Sequence, residues 1–136
     1  MDISKRTGVL DPGTAGHDGM YWEWNSGYIF MKLEGKSTAS ATGQFLYHVG
    51  GFGGGFYDKK TVNNLRTATL SFGPDVATVS ASASPTVFVI ADVLKVLSGV
   101  RTVSIAQNPS VMFDPYSVSI ADNYARMFGY NRIQGN

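Results

Sequence analysis

From Met20 onward the apolar residues fall on every second position. In M-Y-W-E-W-N, Met20, Trp22 and Trp24 share one face while Tyr21, Glu23 and Asn25 share the other, the alternation of a half-buried strand. Asn25, Ser26 and Gly27 supply turn chemistry. Y-I-F-M-K-L-E then returns with Ile29, Met31 and Leu33 on one face and Tyr28, Phe30, Lys32 and Glu34 on the other. Two strands joined so tightly predict a β-hairpin. A polar connection, E-G-K-S-T-A-S-A-T-G, takes on strand character in its second half and leads into Q-F-L-Y-H-V.

The next clean alternation is R-T-A-T-L-S-F over residues 66–72, with Ala68, Leu70 and Phe72 inward and Thr67, Thr69 and Ser71 outward. Gly73, Pro74 and Asp75 turn the chain, and V-A-T-V-S-A-S-A runs back as a partner strand, a second predicted hairpin. Residues 84–99 carry conflicting signals. Ser84, Pro85 and Gly99 punctuate a helix, whereas T-V-F-V-I is β-branched and aromatic. A strand over 86–91 followed by a helical turn or short helix over 92–98 reconciles them. V-R-T-V-S-I-A reads as another strand, Asn108 with Pro109 as a turn, and Y-S-V-S-I as a last short strand. The tail A-D-N-Y-A-R-M-F-G-Y reads as a short amphipathic helix ended by Gly129, burying Tyr124 with Phe128 or Met127.

Short strands with turns at close intervals predict an all-β, mainly antiparallel fold: a single-domain β-sandwich or small β-barrel with one or two short helices. Ahead of it, residues 1–19 contain Pro12, Gly13, Gly16 and Gly19, poor company for helix or ladder. They predict an extended N-terminal arm, docked on its own domain or on a neighbouring subunit, and residues 20–136 form the β-rich domain. No internal repeat interrupts this division.

The glycine run H-V-G-G-F-G-G-G-F-Y also sorts with period two. Phe52, Gly54 and Phe56 lie on one face, and Gly51, Gly53 and Gly55 on the other, flanked by Val49 and Tyr57. Each strand glycine costs about 0.5–1 kcal/mol relative to alanine. The expected return is a sharply bent strand, or bare backbone at Gly51, Gly53 and Gly55 against which a ring or a neighbouring chain lies closely. A flexible linker is the alternative, and the regular aromatic spacing speaks against it. A phosphate loop requires G-x-x-x-x-G-K-[ST], whereas here Asp58 precedes Lys59 and Lys60, so nucleotide binding is not expected.

Composition narrows the function. The chain has 136 residues, enough for one core, and its charged fraction is 15% against about 25% in typical domains. Low charge suggests that much of the surface is covered by a partner. A net charge of +1 with scattered Lys and Arg gives no basic stripe for nucleic acid. Cysteine is absent, which excludes disulfides, thiolate metal sites and a cysteine nucleophile. No apolar run reaches the roughly 18–20 residues of a membrane span, and the N-terminal sequence lacks the apolar core of a signal peptide. The localisation expected is cytoplasmic or within a virion, with secretion only if a leader has been removed.

Chemistry is sparse. Neither His17 in the arm nor His48 in a strand has a serine in nucleophile-elbow context beside it. Asp92, Asp114 and Asp122 are far apart in sequence, so no metal site, cofactor or catalytic residue is expected. Glu23 points away from both tryptophans. The binding potential is aromatic: Tyr21, Trp22, Trp24, Tyr28, Phe30, Phe52, Phe56 and Tyr57 are the expected partner or ligand contacts, since Tyr and Trp suit half-buried interfaces. A hairpin apolar on both faces cannot set both against one core, so something must cover the second. Two functions follow as expectations. One is a non-enzymatic structural or assembly subunit, a homo-oligomer or lattice component such as a viral coat, cement or tail protein. The other is a small β-barrel that binds or transforms an apolar small molecule or lipid.

Overall fold

A computed structural model describes residues 19–22, 27–53, 62–112 and 114–135. Its core is built on a four-stranded sheet. Strand β1 (Tyr21–Trp22) runs antiparallel to β2 (Gly27–Lys36), pairing Tyr21 with Tyr28 and Trp22 with Gly27. Ile29 N donates to Met20 O, so the pairing reaches one residue beyond β1. The expected hairpin is thus formed on both sides of its turn, and Trp24 lies outside the described residues.

β2 pairs antiparallel with β3 (Gln44–Gly50), from Lys36 opposite Gln44 to Ile29 opposite Gly50. A bulge between Ile29 and Met31 leaves Phe30 as the extra residue and bends the strand. Beyond it the alternation is regular. Met31 and Leu33 face the core opposite Val49 and Tyr47, while Lys32 and Glu34 face out with His48. Gly35 sits under the Phe45 ring, where a Cβ would come within 2.7 Å of it. The loop 37–43 between β2 and β3 closes through Ser37 N to Gly43 O, with Gly43 at φ 72.

β5 (Ser110–Val111) joins the far edge parallel to β3. Over this sheet lie a 3-10 turn (Val93–Val96) and helix α1 (Ser117–Tyr124). The core is Tyr47, Val49 and Val111 from the sheet, Ile120 and Ala121 from α1, and Val96 and Val103 from the connections. Helical spacing brings Ser117, Ile120 and Ala121 inward together.

β4 (Thr86–Ala91) and β6 (Phe128–Gln134) form a separate antiparallel pair. Arg132 stacks over Phe88 at 3.9 Å. Asp92 N donates to Met127 O, which carries the pairing to the end of α1. Asp92 then caps the 3-10 turn by accepting from Leu94 N. The strand over 86–91 followed by a helical turn is therefore as the sequence indicated.

The described residues form an all-β domain of mixed and antiparallel sheets with one short α-helix, and the sheets do not close into a barrel. Three local expectations are corrected. Residues 66–72 and 76–83 form no ladder with each other, although the turn between them is made, with Asp75 N donating to Phe72 O and Gly73 at φ 61. The stretch 100–106 is turns and bridges, not a strand. Y-S-V-S-I opens α1, and the helix ends before Gly129, which lies within β6. The arm over 1–18 lies outside the described residues.

Candidate functional site

The first hairpin packs around the start of the glycine run. Trp22 is 5% exposed, and a Cβ on Gly50 would come within 2.7 Å of its ring and 2.5 Å of Tyr28 O. Gly50 is thus the bare backbone on which an aromatic ring lies. Tyr21 and Tyr28 meet edge to face at 5.0 Å and are half-buried, as is Phe30 in the bulge. Trp22 is therefore spent on the domain's own interior, while the two tyrosines keep an outer edge.

After Gly50 the run stops being a strand. Gly51 at φ 102 and Gly53 at φ 81 occupy backbone space that side chains rarely enter, and between them Phe52 makes an isolated bridge to Asn63. Gly53 approaches the Asn63 side chain, not a ring. Gly55, Phe56 and Tyr57 lie outside the described residues.

The bend is held by Asn64. Its fully buried amide Nδ2 donates to Gly50 O at 2.7 Å and to Ser117 Oγ at 2.8 Å, and its backbone N donates to Gly51 O. Ser117 Oγ in turn donates to Asp114 O, and Tyr124 OH donates to Asn64 O. Burial raises the Tyr124 hydroxyl above the ordinary tyrosine range, against the opposing effect of nearby Arg66. Arg66 is locked by Nε and Nη2 on Asp122 Oδ1, at 2.8 and 2.7 Å, and by Nη1 on the carbonyls of Asn63 and Leu65.

The outer face of β2 and β3 carries the only histidine among the described residues. His48 Nε2 donates to Glu34 Oε1 at 2.6 Å, and Lys32 Nζ lies 3.6 Å from the same oxygen. The hydrogen bond from His48 holds the Glu34 carboxyl below the usual carboxylate range against desolvation, with Lys32 adding to the effect. With Nε2 as donor to a carboxylate, a neutral ring presents Nδ1 as its free lone pair, the arrangement that orients metal-binding histidines. No three His, Asp or Glu side chains converge among the described residues. His48 therefore offers one oriented donor, short of a complete metal site.

The sequence placed His48 in a strand and Glu34 on the same face as Lys32, with nothing to bring the two together. Their meeting depends on the register that sets Lys32 opposite His48 and Glu34 opposite Leu46, which only the length of loop 37–43 could have hinted at. A second feature was also out of reach: a groove of about 530 Å3 where residues 66–69 approach the end of α1. Its wall mixes Arg66, Arg126, Asp122, Thr67 and Thr69 with a single ring, Phe128, so it is not the aromatic cavity of a small-molecule barrel. Among the described residues no helix is long and apolar enough to cross a membrane.

No curated protein and no solved structure matches the chain. A family model does, and its match takes in the arm, the hairpin, the glycine run, β4 and the residues through β5: over residues 1–113 the chain matches the MbnP model, and it belongs to the MbnP family.

Proposed function

We propose that this domain is a non-catalytic binding module working with copper, and that it meets the metal through His48 on the outer face of β2 and β3. The family is methanobactin-related and associated with copper binding. The observation that supports a contact at this place is the His48 ring, whose Nε2 is engaged by Glu34 so that Nδ1 is left as the donor, with a ligand type suited to copper. One imidazole does not complete a site, so the remaining donors come from elsewhere. In sequence His17 and Asp18 immediately precede Gly19, whose Cβ position is 3.1 Å from Lys32 Nζ.

The test is competition for Cu(II) against a chelator of known affinity, with wild type, His48→Ala, Glu34→Gln and His17→Ala compared. Loss of His48 weakens retention at least tenfold, a change of about 1.4 kcal/mol, and loss of Glu34 weakens it by less. Undiminished retention in His48→Ala, or loss confined to His17→Ala, contradicts the assignment.

A second reading, self-association as a structural subunit, is supported by apolar side chains left in solvent. Val89, Ile90, Val93 and Leu94 follow one another along β4 and the 3-10 turn, each at least 47% exposed, a surface that calls for cover. A particle component would be one form of such an assembly. Sedimentation velocity across a hundredfold concentration range tests it: a regular oligomer supports the reading, and a monomer throughout removes it.

A further inference from the structure

The groove beside the end of α1 has one wall of unusual character. Thr67, Ala68 and Thr69 line it and are all exposed, and Leu70 beyond them is half-buried. None of their amides or carbonyls takes part in a hydrogen bond among the described residues. A row of unpaired main-chain groups at a surface is the template on which another extended chain adds. Four residues in extended form span about 13 Å, enough to hold a short peptide in register.

The groove's charge points to the occupant. Arg66 and Asp122 satisfy one another at 2.7 Å and cancel. Arg126 N donates to Asn123 O, but its guanidinium has no partner among the described residues and is left as uncompensated positive charge. Phe128 and Val100, 37% and 54% exposed, supply an apolar patch between them. Main-chain edge, apolar patch and one free guanidinium make up the recognition set for an extended peptide bearing a carboxylate.

We propose that this groove binds an extended, acid-bearing peptide segment of a partner protein by adding it as a strand along residues 67–70, with its carboxylate on Arg126. The site is independent of His48, which lies on the far sheet.

The probe is a fluorescein-labelled hexapeptide of alternating Thr and Val with a free C-terminal carboxylate, compared with the same peptide as its C-terminal amide. Fluorescence anisotropy gives saturable binding of the acid. The amide binds about tenfold more weakly, the loss of one charge-assisted contact. Arg126→Gln, whose head group holds nothing in the fold, brings the acid down to the amide's affinity and leaves the amide unchanged. Hydrogen exchange reads the edge directly: amides at 67–70 are unprotected in the free protein and slow when the acid peptide is bound. Absence of saturable binding, equal affinity of acid and amide, or indifference to Arg126→Gln overturns the proposal. So does protection at 67–70 that grows with protein concentration alone, which gives the edge to a second copy of this chain.

Discussion

Gly50 is the residue on which the first hairpin closes. An alanine there would place its methyl against Tyr28 O and the Trp22 ring at 2.5 and 2.7 Å, so backbone or indole must move. Overpacking of this kind costs about 1–3 kcal/mol, and Gly50→Ala is expected to lower the urea midpoint accordingly, with an unchanged midpoint contradicting the packing. Tyr47 presents the opposite case. Its hydroxyl is buried and has no hydrogen-bonding partner among the described residues, and burial pushes it above the ordinary tyrosine range. Tyr47→Phe therefore leaves stability unchanged or raises it by up to about 1 kcal/mol, whereas Tyr47→Ala opens a cavity costing about 3–5 kcal/mol. Glu34 has its folded pKa lowered, chiefly by the hydrogen bond from His48. The pair's stabilisation is therefore present above the ordinary carboxylate pKa and lost as pH falls through the lowered one. Tyr47 and Tyr124 have folded pKa values raised by burial, so the stability they confer is intact below about pH 10 and is lost as pH climbs past it. A spectrophotometric titration at alkaline pH should find tyrosines ionising late, together with unfolding.

Among the elements, the 3-10 turn and α1 are latched by a single side chain. Fully buried Asn123 donates Nδ2 to Val96 O at 3.0 Å and to Arg101 O at 2.7 Å, and its Oδ1 accepts from Arg101 N. Asn123→Ala orphans all three groups and should cost about 2 kcal/mol or more, with a measured loss below about 0.5 kcal/mol speaking against the latch. This element was the least legible in the sequence. Tyr116, Val118 and Ile120 alternate with Ser117 and Ser119 like strand residues at period two, and only the inward turn of Ser117, Ile120 and Ala121 together reveals the helical period. Asp114 adds a local signal: its carboxylate accepts from Tyr116 N and Met112 N, and its carbonyl takes Ser117 N and Oγ, so the chain turns into the helix at Asp114 and Pro115. By contrast the hairpin through Trp22 and Tyr28 was legible because short-range alternation and a nearby turn determine it, and the strand over 86–91 because its run is β-branched and aromatic. The alternation expected over 66–72 holds only in its second half: Leu70 and Phe72 are half-buried while Thr69 and Ser71 are exposed, but Ala68, expected inward, is exposed as well. The missing part was the partner. Phe72 meets Tyr130 at 5.0 Å and Tyr130 OH donates to Asp75, so the turn is tied to β6 and not to a neighbouring ladder. Partner choice between distant segments leaves no mark in local period.

At the scale of the whole molecule, two sheets divide the work. The four-stranded sheet carries the core and the His48 face, and the β4–β6 pair leaves Val87, Val89, Ile90 and Phe128 exposed. The aromatic contacts expected from sequence divide accordingly: Trp22 is consumed inside, Tyr21, Tyr28, Phe30 and Phe52 are half-buried, and Trp24, Phe56 and Tyr57 are not described. Family membership shifts the weight from a particle subunit toward copper, and the oriented imidazole is the structural feature that this reading uses. Its most direct test is continuous-wave electron paramagnetic resonance of the protein loaded with one equivalent of Cu(II), alongside His48→Ala. The account predicts nitrogen superhyperfine splitting in the wild type that loses one imidazole contribution in the variant. A wild-type spectrum identical to that of His48→Ala would contradict it.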